Sequence, residues 1–346
     1  MLAPLLTALV LLGAAPAAQA VEAAEGQTPA VVRDPTTGAQ TVYYVNASNE
    51  VAYYKSSSEF GWTKGVVGGK VAANTSVTAT VIGSSQYVYY VNTSGEITNW
   101  TYSSGKWTGP TTFGGTVGSH SSPWAIVNPS NNFQYVYYVT STNEIADWSW
   151  TGAWSGPNNV GGKVKENTSP TVTRSGSNQY VYYVNSSGEI ANWTYSSGKW
   201  IGPTTFGGKV AANSSPWAIL DPSNNFQYVY FVNNNAAIAN WTWAGSWSGP
   251  NSVGGTVKAN SSPTATLNSA GQYVYYVNTS NQITNWTHSS GMWIGPTTFG
   301  GEVWANSSPT SILDPTNNYQ YVYYFRPSGG ISSFTWTGSW TGPHDL

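Results

Sequence analysis

The chain has 346 residues, of which 15% are aromatic and 8% charged, with 37 glycines and a formal net charge of −2. That is too aromatic for a disordered chain and too polar for one inserted in a membrane, and the near-neutral balance lacks the basic face a nucleic-acid binder needs. Cysteine is missing altogether, which excludes a disulfide framework and a thiolate metal site.

The first element is an apolar run from Leu5 to Ala15, too short to cross a bilayer and followed by Ala18-Gln19-Ala20, an A-x-A cleavage pattern. Residues 1–20 read as a signal peptide, although no Lys or Arg precedes the run, and the mature protein, 21–346, is expected to be secreted.

From there on the chain repeats itself. Trp62, Trp107, Trp154, Trp200, Trp247, Trp293 and Trp340 recur at spacings of 45, 47, 46, 47, 46 and 47. Cutting before each Gly-Gly gives seven units: 21–67, 68–113, 114–160, 161–206, 207–253, 254–299 and 300–346. The expected signal cleavage thus falls at a unit boundary, and the chain stops where the next Gly-Gly would begin. Within the fourth unit four β-type segments follow in order: Thr171-Val172-Thr173, the Tyr- and Val-dense 180–184, the alternating 189–195, and Lys199-Trp200-Ile201. Turns of the type Asn-Ser-Ser-Gly separate them, and no mature segment shows a 3.6-residue amphipathic period. Four short strands per unit, seven times over, predict an all-β fold: a seven-bladed β-propeller of four-stranded antiparallel blades. The blades are expected to alternate in two types. The spacing from the Ser-Ser-Pro proline to the Gln before the Tyr-rich strand is eleven in odd units, as from Pro123 to Gln134, and nine in even ones, as from Pro170 to Gln179. Seven is odd, so units seven and one must meet like against like.

Thirteen Asn-x-Ser/Thr sequons sit mostly at equivalent positions of the unit, which reads as turn chemistry copied with the repeat rather than as glycosylation. For catalysis the pattern offers little. His120, His288 and His344 fall at unrelated positions without metal-ligand spacing, and Arg33, Arg174 and Arg326 are read as non-equivalent, with no sialidase box near them. The scarce acids single out no glycosidase pair. No catalytic residue, metal or cofactor is expected.

The recurrent polar and aromatic residues suggest binding instead. Glu96, Glu144 and Glu189 open the third strand, and three residues on come Asn99-Trp100, Asp147-Trp148 and Asn192-Trp193, repeated as Asn240-Trp241 and Asn285-Trp286. A pyranose needs a flat apolar surface for its C–H face and fixed hydrogen-bonding groups for its hydroxyls, which Trp beside Asn, Asp or Glu supplies. A Trp once per blade also serves as a wedge between blades, the favoured role for the Trp107, Trp154, Trp200 set; for the Asn-Trp set the two roles stand level. Trp124 and Trp217, which follow Ser-Ser-Pro in two odd units only, are expected as exposed contacts.

The order Trp-x-Gly, Gly-Gly, Ser-Pro, Tyr-Val-Tyr-Tyr-Val, Ile-x-x-Trp resembles that of the bacterial seven-bladed propeller lectins of the Photorhabdus type over the whole mature chain. The resemblance implies a secreted sugar-binding protein with several sites between adjacent blades, for fucose or related and O-methylated sugars. The Aleuria-type fungal fucose lectins are similar in outline but have six blades and an Arg-Glu-Trp set in each site, and here no arginine recurs. The reading that follows is a multivalent, non-enzymatic carbohydrate-binding protein whose partners are glycans or glycoconjugates on a cell surface, with the junction of units seven and one binding worst. A protein-interaction or structural propeller and a propeller glycosidase are the alternatives.

Overall fold

The computed structural model describes residues 23, 27–57 and 61–346; the expected signal peptide at 1–20 lies outside them. A strand with hydrophobic side chains at every position must be covered on both faces, and the Tyr-Val-Tyr-Tyr-Val segments are buried in this way. Each is the second strand of a four-stranded antiparallel sheet whose strands follow in chain order from the inside outward. Seven such sheets occupy 30–70, 78–114, 124–161, 171–209, 217–254, 264–300 and 310–345, and are numbered here as blades 1 to 7. In blade 4 the strands are Thr171–Ser175, Asn178–Val184, Glu189–Ser196 and Lys199–Lys209. Innermost strands of successive blades touch, and the contact between blades 7 and 1 closes the ring. The fold is the expected all-β, seven-bladed propeller.

The first hairpin follows the predicted length difference. Gly83-Ser84, Gly176-Ser177 and Ser269-Ala270 make tight turns in even blades, whereas odd blades carry longer loops such as 34–39 and 221–226.

The hydrophobic core is divided among the junctions. Each of seven buried clusters draws on two adjacent blades, for example Tyr137, Val139 and Ile145 of blade 3 with Val181, Tyr183 and Ala191 of blade 4. Two belts run through these clusters. The middle tyrosine of every second strand donates its hydroxyl to the glutamine of the next blade, from Tyr43 to Gln86 round to Tyr323 to Gln40. Outside it, the same tyrosine meets the next blade's repeat tryptophan edge-on, as Tyr182 does Trp247 at 5.9 Å, and Tyr323 meets Trp62 across the closure. The wedge role expected for this tryptophan set is thus observed at all seven junctions.

The Gly-Gly step has a steric cause. Gly162, at φ 81°, lies so close to the Tyr183 hydroxyl and the Trp193 indole that a Cβ would sit 2.4 Å and 3.0 Å from them. The repeated asparagine after the second strand is local turn chemistry: Asn185 Oδ1 accepts hydrogen bonds from the backbone N–H groups of Ser187 and Glu189 at 3.0 Å.

Candidate functional site

Successive residues of a strand face opposite ways, and this separates the residues that the sequence places together. In the third strand of blade 4, Glu189, Ala191 and Trp193 share the face toward blade 3, whereas Asn192, paired with Tyr182, faces blade 5. Asn and Trp of one pair therefore serve different junctions.

The tryptophans of these pairs are framework. Trp148 and Trp241 are buried, Trp100, Trp193 and Trp286 half-buried, and each packs into the cluster shared with the preceding blade. Trp241 Nε1 also donates to the Gly207 carbonyl at 3.3 Å. Asn99, Asn192, Asn240 and Asn285 are buried too, each amide bonding the threonine two residues on, at 3.0 to 3.2 Å. These four sequons are inaccessible to glycosylation in the folded chain. Asp147 takes the equivalent place in blade 3, where burial pushes its carboxyl up to about 6, against the pull of the Asn158 amide at 3.3 Å.

The glutamates lie at the other end of the third strand, beside the second-to-third turns. Glu144 pairs with Lys163 at 2.8 Å and Glu189 with Lys209 at 3.0 Å, while Glu96 accepts from Asn92 at 3.2 Å. The hydrogen bond and charge of Lys163 hold the Glu144 carboxyl below its usual range.

Trp124 and Trp217 are not exposed contacts. They project into the central channel, half-buried, and meet edge-to-face with centroids 5.0 Å apart. The Trp217 indole donates to the Ala265 carbonyl at 3.2 Å. The two odd-blade tryptophans fill a throat that the Ser-Ser-Pro segments line. No ionisable side chain lines this 300 Å³ cavity among the described residues. At the mouth Asn74, His120, Asn167, Asn213, Asn260 and Asn306, one residue from each of blades 2 to 7, form a chain of side-chain hydrogen bonds. His120 is a link of that chain rather than an isolated histidine.

The grooves between blades open on the face of the first and third hairpins. Their rim is formed by residues that the sequence reading passed over. One is the first tyrosine of the second strand, at 87, 135, 180, 228, 273 and 321. The other is the aromatic residue two positions past the Asn-Trp tryptophan: Tyr102, Trp150, Tyr195, Trp243, His288 and Trp336. The register places the first on one wall and the second on the facing wall, since Tyr180 shares its face with Tyr182, and Trp243 pairs with the Gln227 that Tyr182 contacts. A signal was present in the sequence: aromatic residues persist at that position in six units. It was masked by the more conspicuous Asn-Trp dipeptide beside it.

Register also revises the arginines. Arg33 pairs with Gln40 and Arg174 with Gln179, so the two occupy one equivalent position, facing the preceding blade. Arg174 shares the junction of blades 3 and 4 with Asp147, and both act electrostatically on Tyr135, whose hydroxyl burial pushes up. Arg33 bonds Asp314 of blade 7 at 3.0 Å.

The junction of blades 7 and 1 differs from the others. Ser56 stands where the six other blades carry the rim aromatic, and Ser333 where five of them carry Asn or Asp. A cavity of about 680 Å³ lies here, lined among others by Asp34, Gln40, Lys55, Ser56 and Trp62 of blade 1 and by Tyr321, Tyr323, Ser333, Thr335 and His344 of blade 7. The corresponding hollow between blades 1 and 2, with Tyr53 and Tyr102 in those places, measures about 30 Å³.

No family model and no curated protein matches the chain. Solved structures do. A mutant of the Aleuria aurantia lectin in complex with Fucα1-6GlcNAc superposes with a TM-score of 0.64 at 20% identity, covering 80% of this chain and 97% of that one. SapL1 lectin in complex with α-methyl fucoside gives 0.61 at 19% identity, covering 94% and 97%. An ulvan-cleaving polysaccharide lyase bound to a sulfated GlcA–Rha ligand gives 0.59 at 11% identity, covering 91% and 94%. At such identities the likeness is one of fold, and the chain shares its propeller architecture with these lectins and with this lyase.

Proposed function

We propose that this chain is a secreted, multivalent carbohydrate-binding protein without catalytic activity. Its sites are the grooves between blades, and its partners are glycans or glycoconjugates at a cell surface. The reading rests on the groove rims, where half-buried aromatic rings from two blades flank polar side chains such as Thr194 and Asn192. Aromatic faces accept the apolar side of a sugar ring, and the amides and hydroxyls beneath orient its hydroxyls. The Fucα1-6GlcNAc and α-methyl fucoside in the two lectin structures support fucose-containing glycans as the ligand class, and seven blades agree with the Photorhabdus-type pattern of the sequence. Single-ring sites of this kind are shallow, and several on one rigid disc raise avidity by roughly 10²–10⁴ when they engage a surface together.

The test is an array of fucosylated, O-methylated and unmodified oligosaccharides, followed by competition with free methyl α-fucoside. Retention on fucosylated spots, released by the free sugar, is expected. A folded protein that no spot retains would overturn the reading in favour of a protein-interaction propeller.

A further inference from the structure

In five blades the outer face of the repeat tryptophan is covered by the rim aromatic of its own sheet. Centroids are 5.2 Å apart for Tyr102–Trp107 and Tyr195–Trp200, 5.0 Å for His288–Trp293, and 5.6 Å for Trp243–Trp247 and Trp336–Trp340. In blade 1 the partner position is Ser56, which pairs directly with Trp62, and its hydroxyl accepts from the Gln40 N–H at 2.8 Å instead of reaching across the indole. Trp62 keeps its edge contact with Tyr323 at 6.1 Å and borders the 680 Å³ cavity. The volume falls in the range of built ligand pockets, about 300–1,000 Å³. Its opposite wall carries a second aromatic, Tyr321, and between the two lie the hydroxyls of Ser333 and Thr335 and the imidazole of His344.

The arrangement also has a rigid frame. Arg33 bridges the junction to Asp314 at 3.0 Å, both side chains largely buried, and the Tyr323–Gln40 link of the belt continues beneath the cavity. The recess is therefore a missing ring in an otherwise complete junction, not a loosened seam. The expectation that the closing junction binds worst for want of the Asn-Trp tryptophans thereby loses its ground, since those rings pack into the clusters shared with the preceding blade.

We propose that the junction of blades 7 and 1 is the principal carbohydrate site of the chain. It takes an oligosaccharide of two or more rings, one of them stacked on Trp62, while the other grooves hold single rings at their rims. The assignment rests on the carbohydrate reading and adds to it which junction dominates and what size of ligand it takes.

The test uses the full mature chain and three variants on the oligosaccharide array. Ser56→Tyr restores the ring that Tyr102 and Tyr195 supply elsewhere, Ser333→Asn fills the cavity from the other wall, and Glu166→Gln changes an exposed side chain next to Asn167 at the channel mouth. Signal on di- and larger oligosaccharides is expected to fall more than tenfold in Ser56→Tyr and in Ser333→Asn, and to stay within twofold in Glu166→Gln, with unfolding midpoints confirming each fold. Should one cavity variant not fold, the other decides. Wild-type signal in a folded cavity variant overturns the assignment and leaves the carbohydrate reading standing. A wild-type chain that no oligosaccharide retains overturns both.

Discussion

The closing junction and a regular one, such as that of blades 4 and 5, share their framework and differ in their filling. Both have the tyrosine-to-glutamine bond, the edge-on tyrosine–tryptophan contact and a buried hydrophobic cluster. At the regular junction Trp247 lies against Trp243 of its own blade and against Phe206, 4.0 Å away on the preceding segment. At the closure serine takes the place of the first ring, and an ion pair joins the blades. Ring closure and groove filling thus depend on separate residues, so one groove can be emptied without opening the ring.

The largest effect that tests this contrast is on stability. Trp247→Ala removes an indole packed by three rings and is expected to cost about 3–5 kcal/mol. Trp62→Ala should cost less than half of that, because its indole borders a cavity and replaces fewer contacts when lost. Denaturant unfolding of the two variants measures both values. Equal losses would mean that Trp62 is packed as tightly as the other six, and would remove the contrast between the junctions.

Architecture was largely legible in the sequence because it depends on what repeats. The Gly-Gly, the Tyr-Val-Tyr-Tyr-Val strand and the repeat tryptophan each satisfy a steric or burial demand that recurs in every blade, so period and strand count could be read directly. Binding surfaces were less legible, because they depend on which way a residue faces. Asn192 and Trp193 are neighbours in the chain yet belong to different junctions, and only the register with Tyr182 and Val181 separates them. Trp124 and Trp217 looked free because Thr171, Thr264 and Thr310 stand in their place in other units; their partners are each other, 93 residues apart. The Ser56 and Ser333 pair was hidden for the opposite reason, since each is an absence in its own unit and the two meet only when the ring closes.

A second and smaller test concerns the other irregular junction, between blades 3 and 4. Asp147 holds its proton up to about pH 6 when folded because burial opposes its charge, whereas its ordinary value is 3.8. The folded state therefore carries more protons between these values, and stability falls as pH rises from about 4 to 6 and remains lower above. Asp147→Asn installs the residue of blades 2, 4, 5 and 6. It is expected to stabilise the chain by about 1–3 kcal/mol at pH 7, because each tenfold weakening of the acid on folding costs about 1.36 kcal/mol, and to flatten that slope. An unchanged pH profile in the variant would show that the carboxyl is solvated and the junction open.

The smallest effect has the opposite sign and belongs to the closing junction. Burial alone would raise the Asp314 carboxyl, but the Thr316 hydroxyl and N–H and the Arg33 guanidinium outweigh it and leave the group below its ordinary 3.8. A carboxylate depressed on folding contributes stability that is complete above the unfolded value and is lost as pH falls through the folded one. Wild type is thus expected to exceed Asp314→Asn by about 0.5–1 kcal/mol at pH 6 and to converge with it below pH 3.8. The same change should leave oligosaccharide retention at pH 7 within twofold, since Tyr323–Gln40 still joins the blades. If Asp314→Asn abolished retention, the ion pair would be what holds the recess in shape, and closure and recognition at this junction would no longer be separable.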